Sequence, residues 1–209
     1  MRLVAVEMST CRGSLALLEE GHVMSSTEWD ASYSNREALF DALKTLSLPF
    51  SEVDQWVVGS GPGGFSGMRI SFSVVQALAA PSKTAVSAQN SGAAMALDIK
   101  ADDVVVIGDA RRDQWWAGKF KAGKLVRDYA LIDPDTLAEW VGDKTQVITS
   151  DWDRLHDQLS TFNTPKKAIY PSAEILGQIA CSKIQQGEPM EPMEPLYMHP
   201  PVFIEPRFK

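Results

Sequence analysis

With 209 residues, 44% hydrophobic and 22% charged, the sequence has an ordinary soluble composition and enough apolar mass for one large or two small cores. A formal charge of -7 and a pI near 5.0 argue against unaided nucleic-acid binding, because neutralising phosphates takes clustered Lys and Arg. Cys11 and Cys181 are the only cysteines and have no CxxC spacing, which excludes a cysteine-framed zinc site or disulfide scaffold and fits reduced thiols in the cytoplasm.

The chain opens on an apolar run, residues 3–6, read as a buried strand ending at Glu7. A carboxylate that early does not fit a signal peptide, and no apolar run nears the roughly 18 residues of a membrane span. Residues 14–18 and 23–29 read as strands joined by a hairpin turn around Gly21. Residues 33–46 read as a helix with Ser32 or Ser34 as N-cap; Leu39, Leu43 and Leu46 share a face, Phe40 lies beside it, and Pro49 ends the segment.

Residues 56–58 then form a short strand that leads into Gly59-Ser60-Gly61-Pro62-Gly63-Gly64-Phe65-Ser66-Gly67-Met68-Arg69, and residues 70–80 read as a helix. Strand, glycine-rich loop and helix start together suggest an anion cradle, since glycines admit close backbone approach and a helix N-terminus carries partial positive charge. The spacing Gly59-x-Gly61-x-x-Gly64 fits a dinucleotide fingerprint, but no carboxylate stands in Ala79-Ala80-Pro81-Ser82-Lys83-Thr84, where a ribose partner belongs. A P-loop would need Lys-Ser/Thr where Phe65-Ser66 stands. A tight turn that simply lets the helix pack closely on the sheet is an equally open reading.

That helix is apolar on two faces. Met68, Phe72, Val75 and Ala79 make one, Ile70, Val74, Ala77 and Leu78 the other, and Arg69, Ser73 and Gln76 leave a narrow polar stripe. At about 1.5–3 kcal/mol for each large side chain fully buried, both faces want cover, from this chain or from a partner.

Further on, the expected order is a strand at 84–86, a small-residue helix at 91–97 and strands at 104–107, 114–120 and 125–131. A short helix at 136–141, a strand at 146–149 and a helix at 172–185 follow. Six prolines fall within 188–209, marking an extended tail whose Leu196, Tyr197, Val202, Phe203 and Ile204 suggest packing on the body. An internal echo joins the halves: Val4-Ala5-Val6-Glu7 is matched by Val106-Ile107-Gly108-Asp109, and Gly21 by Gly123 at the same offset. Two units of three strands and a helix, each with a carboxylate at the first strand's end, suggest a duplicated α/β fold. The expected organisation is residues 1–100, residues 101–187 and a tail of 188–209.

Four stretches in order resemble the bacterial TsaB (YeaZ) family. They are Val4-Ala5-Val6-Glu7-Met8-Ser9-Thr10, the decamer Gly61 to Ile70, Asp109-Ala110-Arg111 and Glu194-Pro195-Leu196-Tyr197. The decamer is the specific one. The resemblance implies an actin-like ATPase fold of two related α/β halves with mixed central sheets. It also implies a role in making threonylcarbamoyladenosine beside the tRNA anticodon, as a scaffold for the catalytic paralogue TsaD and with the ATPase TsaE.

By that resemblance the chain has no catalytic residues, binds no cofactor or metal alone, and meets tRNA only through the complex; ATP and metal belong to its partners. The expected interface is Leu39, Phe40, Leu43, Met68, Arg69, Phe72, Val75, Gln76 and Ala79, facing TsaD or a second copy in a homodimer. A vestigial nucleotide site would comprise Glu7, Ser9, Thr10, Gly61, Gly63, Gly64, Asp109 and Arg111. His22, His156 and His199 offer no i, i+4 pair for the metal motif that marks the paralogue. The competing expectation is an enzyme, a nucleotide hydrolase or glycoprotease-like peptidase, built on the glycine-rich loop with Glu7 and Asp109.

Departures from the family pattern carry expectations of their own. Glu7 replaces Asp, and its extra methylene is expected to push the carboxylate into the phosphate and magnesium space. Gly64 and Ser66 replace Ser and Thr, and Met198-His199-Pro200-Pro201 replaces a Leu-Arg pair.

Overall fold

The computed structural model describes residues 1–31 and 37–200. The N-cap expected at Ser32 or Ser34, the start of the 33–46 helix and Val202, Phe203 and Ile204 lie outside the described residues.

Apolar alternation builds a five-stranded sheet first. β1 (Arg2–Glu7), β2 (Arg12–Glu19) and β3 (His22–Asp30) run antiparallel, and β1 also pairs in parallel with β4 (Gln55–Gly59), which pairs with β5 (Ala85–Gln89). The order is β3-β2-β1-β4-β5. Between these strands lie α1 (Ala38–Lys44), α2 (Phe65–Ala79) and, after β5, α3 (Ser91–Asp98).

The second sheet repeats the plan. β6 (Asp103–Arg111), β7 (Gln114–Lys121) and β8 (Lys124–Ile132) run antiparallel, and β6 pairs in parallel with β9 (Gln146–Thr149), giving β8-β7-β6-β9. The echo read from residues 4–7 and 106–109 is thus a repeat of topology. Both hairpins even close through the same pair of left-handed residues, Glu20-Gly21 and Ala122-Gly123.

The expected short helix near 136–141 is a 3-10 segment, Pro134–Glu139, because Pro134 cannot donate and the run is short. Sequence reasoning missed α4 (Trp152–Leu155) and a 3-10 turn at Phe50–Glu52, both single turns without a usable period. α5 (Ala173–Gln186) starts on a Ser172 side-chain cap and stops at left-handed Gly187.

Each central strand is buried on both faces. Val4 and Val6 of β1 point to α1 and α2, into a cluster with Leu39, Leu43, Phe72 and Val75. Leu3 and Ala5 point the other way, to Ala94 of α3 and to Leu176 and Ala180 of α5. α3 turns Ala93, Met95 and Ala96 toward Val104 and Val106 of β6, so α3 and α5 are the layer shared between the sheets. The outer face of β6, Val105 and Ile107, is covered by Leu137, Trp140 and Leu155.

Candidate functional site

The two halves face each other across a cleft of about 870 Å³. The first half contributes Ser9, Thr10, Gly63, Gly64, Phe65 and Arg69; the second contributes Asp109, Arg111, Trp116, Ser150, Asp151 and Arg154. Leu196 to Pro200 of the tail complete it. Of the sequence-derived nucleotide-site residues, Ser9, Thr10, Gly63, Gly64, Asp109 and Arg111 meet here, whereas Glu7 and Gly61 do not line the cleft.

The glycine-rich loop owes its shape to the turn that lies on it. A Cβ on Gly63 would stand 2.0 Å from the Ser9 carbonyl oxygen, and one on Gly67 would stand 2.1 Å from that of Met8. The Gly64 amide also donates to the Ser9 carbonyl. The close-packing reading of these glycines is therefore satisfied inside the chain, by the β1–β2 connection. α2 begins at Phe65, earlier than the apolar pattern at residue 70 indicates, with Gly64 as an N-cap that offers no side chain.

The expectation for Glu7 needs correction. Its side chain is fully buried and turns away from the cleft, beneath the loop. It accepts hydrogen bonds from the Ser9 amide and, at 2.6 Å, from the Ser91 hydroxyl. Ser91 Oγ in turn accepts from the Gly61 amide at 3.0 Å. A Cβ on Gly59 would lie 1.9 Å from the carboxylate, so the space that takes the extra methylene exists because residue 59 is glycine. Burial raises the Glu7 pKa above its ordinary value, against the hydrogen bonds to Ser9 and Ser91, which lower it.

Asp109, at the matching place in the second half, does face the cleft. Its Oδ2 accepts from Arg111 at 2.9 Å and Arg154 at 3.0 Å, and its Oδ1 accepts from the Arg111 amide at 2.7 Å. Asp109 thus forms a local ion pair with Arg111, with Arg154 as an added partner that sequence spacing could not place. Asp151 accepts from the Asp109 amide at 3.0 Å, and burial pushes its pKa up. The turn after β6 runs through three consecutive left-handed residues, Arg111, Arg112 and Asp113, at φ of 67°, 56° and 59°. Non-glycine residues held there cost about 1–3 kcal/mol each.

The two matching carboxylates thus differ in surroundings: Glu7 is sealed under the loop, and Asp109 Oδ2 pairs with two guanidiniums. Among the described residues no three His, Cys, Asp or Glu side chains stand close enough to hold a metal ion.

The expected interface divides. Leu39, Leu43, Met68, Phe72, Val75 and Ala79 lie in the chain's own core, so their assignment to a partner-facing surface is corrected: β1 and β4 already cover that face. Phe40, Arg69 and Gln76 are exposed. They stand with Ser66, Ser73, Ala77 and Ala80, also exposed, and with half-buried Ile70, Val74 and Leu78. In the described part of the tail, the Leu196 amide donates to the Ser60 carbonyl at 2.8 Å, and His199 Nε2 donates to that of Ala110 at 2.7 Å. No helix among the described residues is long and apolar enough to cross a membrane.

Two sheets of repeated topology, each with a carboxylate at the end of its first strand, flank one cleft; this is an α/β protein of the actin-like ATPase fold. The family described as TsaD, tRNA N6-adenosine threonylcarbamoyltransferase, matches residues 35–178. YeaZ from Pseudomonas aeruginosa superposes with a TM-score of 0.81 at 27% identity, over 94% of this chain and 99% of that one. A second solved chain, described as similar to peptidase YeaZ from Pseudomonas aeruginosa, gives 0.79 at 27%, over 95% and 99%. The tRNA threonylcarbamoyladenosine biosynthesis protein TsaB of Bacillus subtilis is 26% identical over 148 residues, 68% of this chain. That match spans 65% of the Bacillus subtilis protein's length. The chain belongs to the TsaD-type family, in its TsaB (YeaZ) group.

Proposed function

We propose that this chain takes part in forming threonylcarbamoyladenosine on tRNA as a partner-binding subunit, with the chemistry carried by a TsaD-like relative. Glu7 is the observation that carries the non-catalytic half of this reading. A first-strand carboxylate tied to Ser9 and Ser91 beneath the loop holds the loop in shape instead of reaching a ligand in the cleft. The partner would dock on the outer stripe of α2, where Ser66, Ser73, Ala77 and Ala80 are small enough for a close helix approach, beside Phe40 of α1. A TsaE-like ATPase would join that assembly, and self-pairing through the same stripe would compete with it.

Titration of the purified chain against the TsaD-like paralogue tests this reading. Ala77→Arg, on the exposed stripe, is expected to weaken the pair at least about 100-fold while leaving the melting temperature near wild type. Wild-type affinity in that variant would place the interface elsewhere. Calorimetry with magnesium-ATP addresses the enzyme reading: tight stoichiometric binding with turnover, lost in Asp109→Asn, would overturn the non-catalytic assignment.

A further inference from the structure

This acidic chain brings arginines to both walls of the cleft, Arg69 from the first half and Arg111 and Arg154 from the second. Arg112 stands beside Arg111 in the exposed turn. Two of them, Arg111 and Arg154, share a single oxygen of Asp109. Counting Asp109, Asp113, Asp151 and Asp153 all as charged, arginines balance carboxylates here four to four, against -7 for the whole chain.

On the wall that carries Arg69, Phe65 is 53% exposed, and Tyr197 of the tail beside it is 43% exposed. Their ring centroids are 5.0 Å apart, and the Arg69 guanidinium lies 4.9 Å over the Phe65 ring. Open aromatic faces beside guanidiniums match the chemistry of unpaired nucleotides, whose bases stack while their phosphates pair.

We propose that this cleft binds an unpaired stretch of RNA, with phosphates on Arg111, Arg112 and Arg154 of one wall and a base stacked on the Phe65–Tyr197 pair of the other. A free nucleotide fits less well, because the cations run past the cavity to Arg112 at the turn tip. The site rests on the cleft's own residues; only the identity of the RNA as tRNA rests on the function proposed above.

Fluorescence anisotropy of the full chain with a labelled single-stranded RNA of about 15 nucleotides, at low salt, tests the proposal. Wild type is expected to bind through this local patch despite the chain's net charge of -7, with the logarithm of the affinity falling linearly against log salt. Phe65→Ala is expected to weaken binding about 5- to 150-fold through lost stacking. Arg112→Ala is expected to reduce the salt slope by about 0.7, the share of one phosphate contact on a single strand. Both residues are exposed, so melting temperatures should hold. No binding, equal binding by both variants, or equal competition by adenosine monophosphate would each overturn the proposal. Arg112→Ala should leave capture of the TsaD-like paralogue intact, so loss of RNA binding and loss of partner binding are separable results.

Discussion

Glu7 shows what one methylene does when the surroundings accommodate it. The longer side chain reaches Ser91, which in turn receives the Gly61 amide, so a single carboxyl group ties β1, the loop and the start of α3 together. Its burial has a pH consequence. A folded-state pKa raised above the ordinary 4.5 means the folded chain holds a proton that the unfolded chain has released. The contribution is therefore fully present below pH 4.5 and is lost as pH rises through the raised folded value. Urea midpoints measured from pH 4.5 upward should fall for wild type and stay flatter for Glu7→Gln; parallel curves would refute this account. The departure at Glu7 was legible in the sequence, but its direction was not. That direction depends on Gly59 and Ser91, which only the sheet register brings beside it.

At the scale of the element, α2 carries two apolar faces, and the sequence alone could not say which the chain covers. Helical spacing grouped Met68, Phe72, Val75 and Ala79 correctly. Assigning that face to a partner failed because cover depends on how the helix lies against β1 and β4, which periodicity does not encode. Phe72→Glu should accordingly unfold the chain by about 3 kcal/mol or more, through an unpaired buried charge, whereas Ala77→Glu should stay within about 0.5 kcal/mol. Circular dichroism melts separate the two, and a well-folded Phe72→Glu protein would contradict the packing. The loop makes a second contrast. Gly67→Ala places a Cβ 2.1 Å from the Met8 carbonyl oxygen, but on Gly64 the nearest contact is 3.4 Å, to that of Ser9. The first should cost about 1–3 kcal/mol and the second little, so equal midpoints in denaturant would show that the turn yields.

For the whole molecule, the duplicated topology was legible because a carboxylate ends the first strand of each half and a Gly turn follows at the same offset. How the halves close was not, since α5 lies far along the chain from the strands it covers. Leu3, Ala5, Ala16, Leu18 and Val57 of the first sheet are buried under α5 residues Ala173, Leu176, Ala180 and Cys181. The Ser14 hydroxyl also accepts from the Ala173 amide at 2.9 Å, fixing the helix start to β2. Gly177 is the point of closest approach, where a Cβ would meet Leu18 at 2.3 Å. A fragment of residues 1–100 keeps every strand of the first sheet but loses α5 from that face, leaving only α3 on it. Leu3, Leu18 and Val57 alone would forgo roughly 5–9 kcal/mol, comparable with the whole stability of a typical domain. The fragment should therefore show no cooperative melt and should bind a hydrophobic dye, and co-expression with residues 165–200 should restore a folded species. A sharp, wild-type-like transition in residues 1–100 alone would mean that the first sheet closes without α5, and that the two halves share less of their core than the packing of α3 and α5 requires.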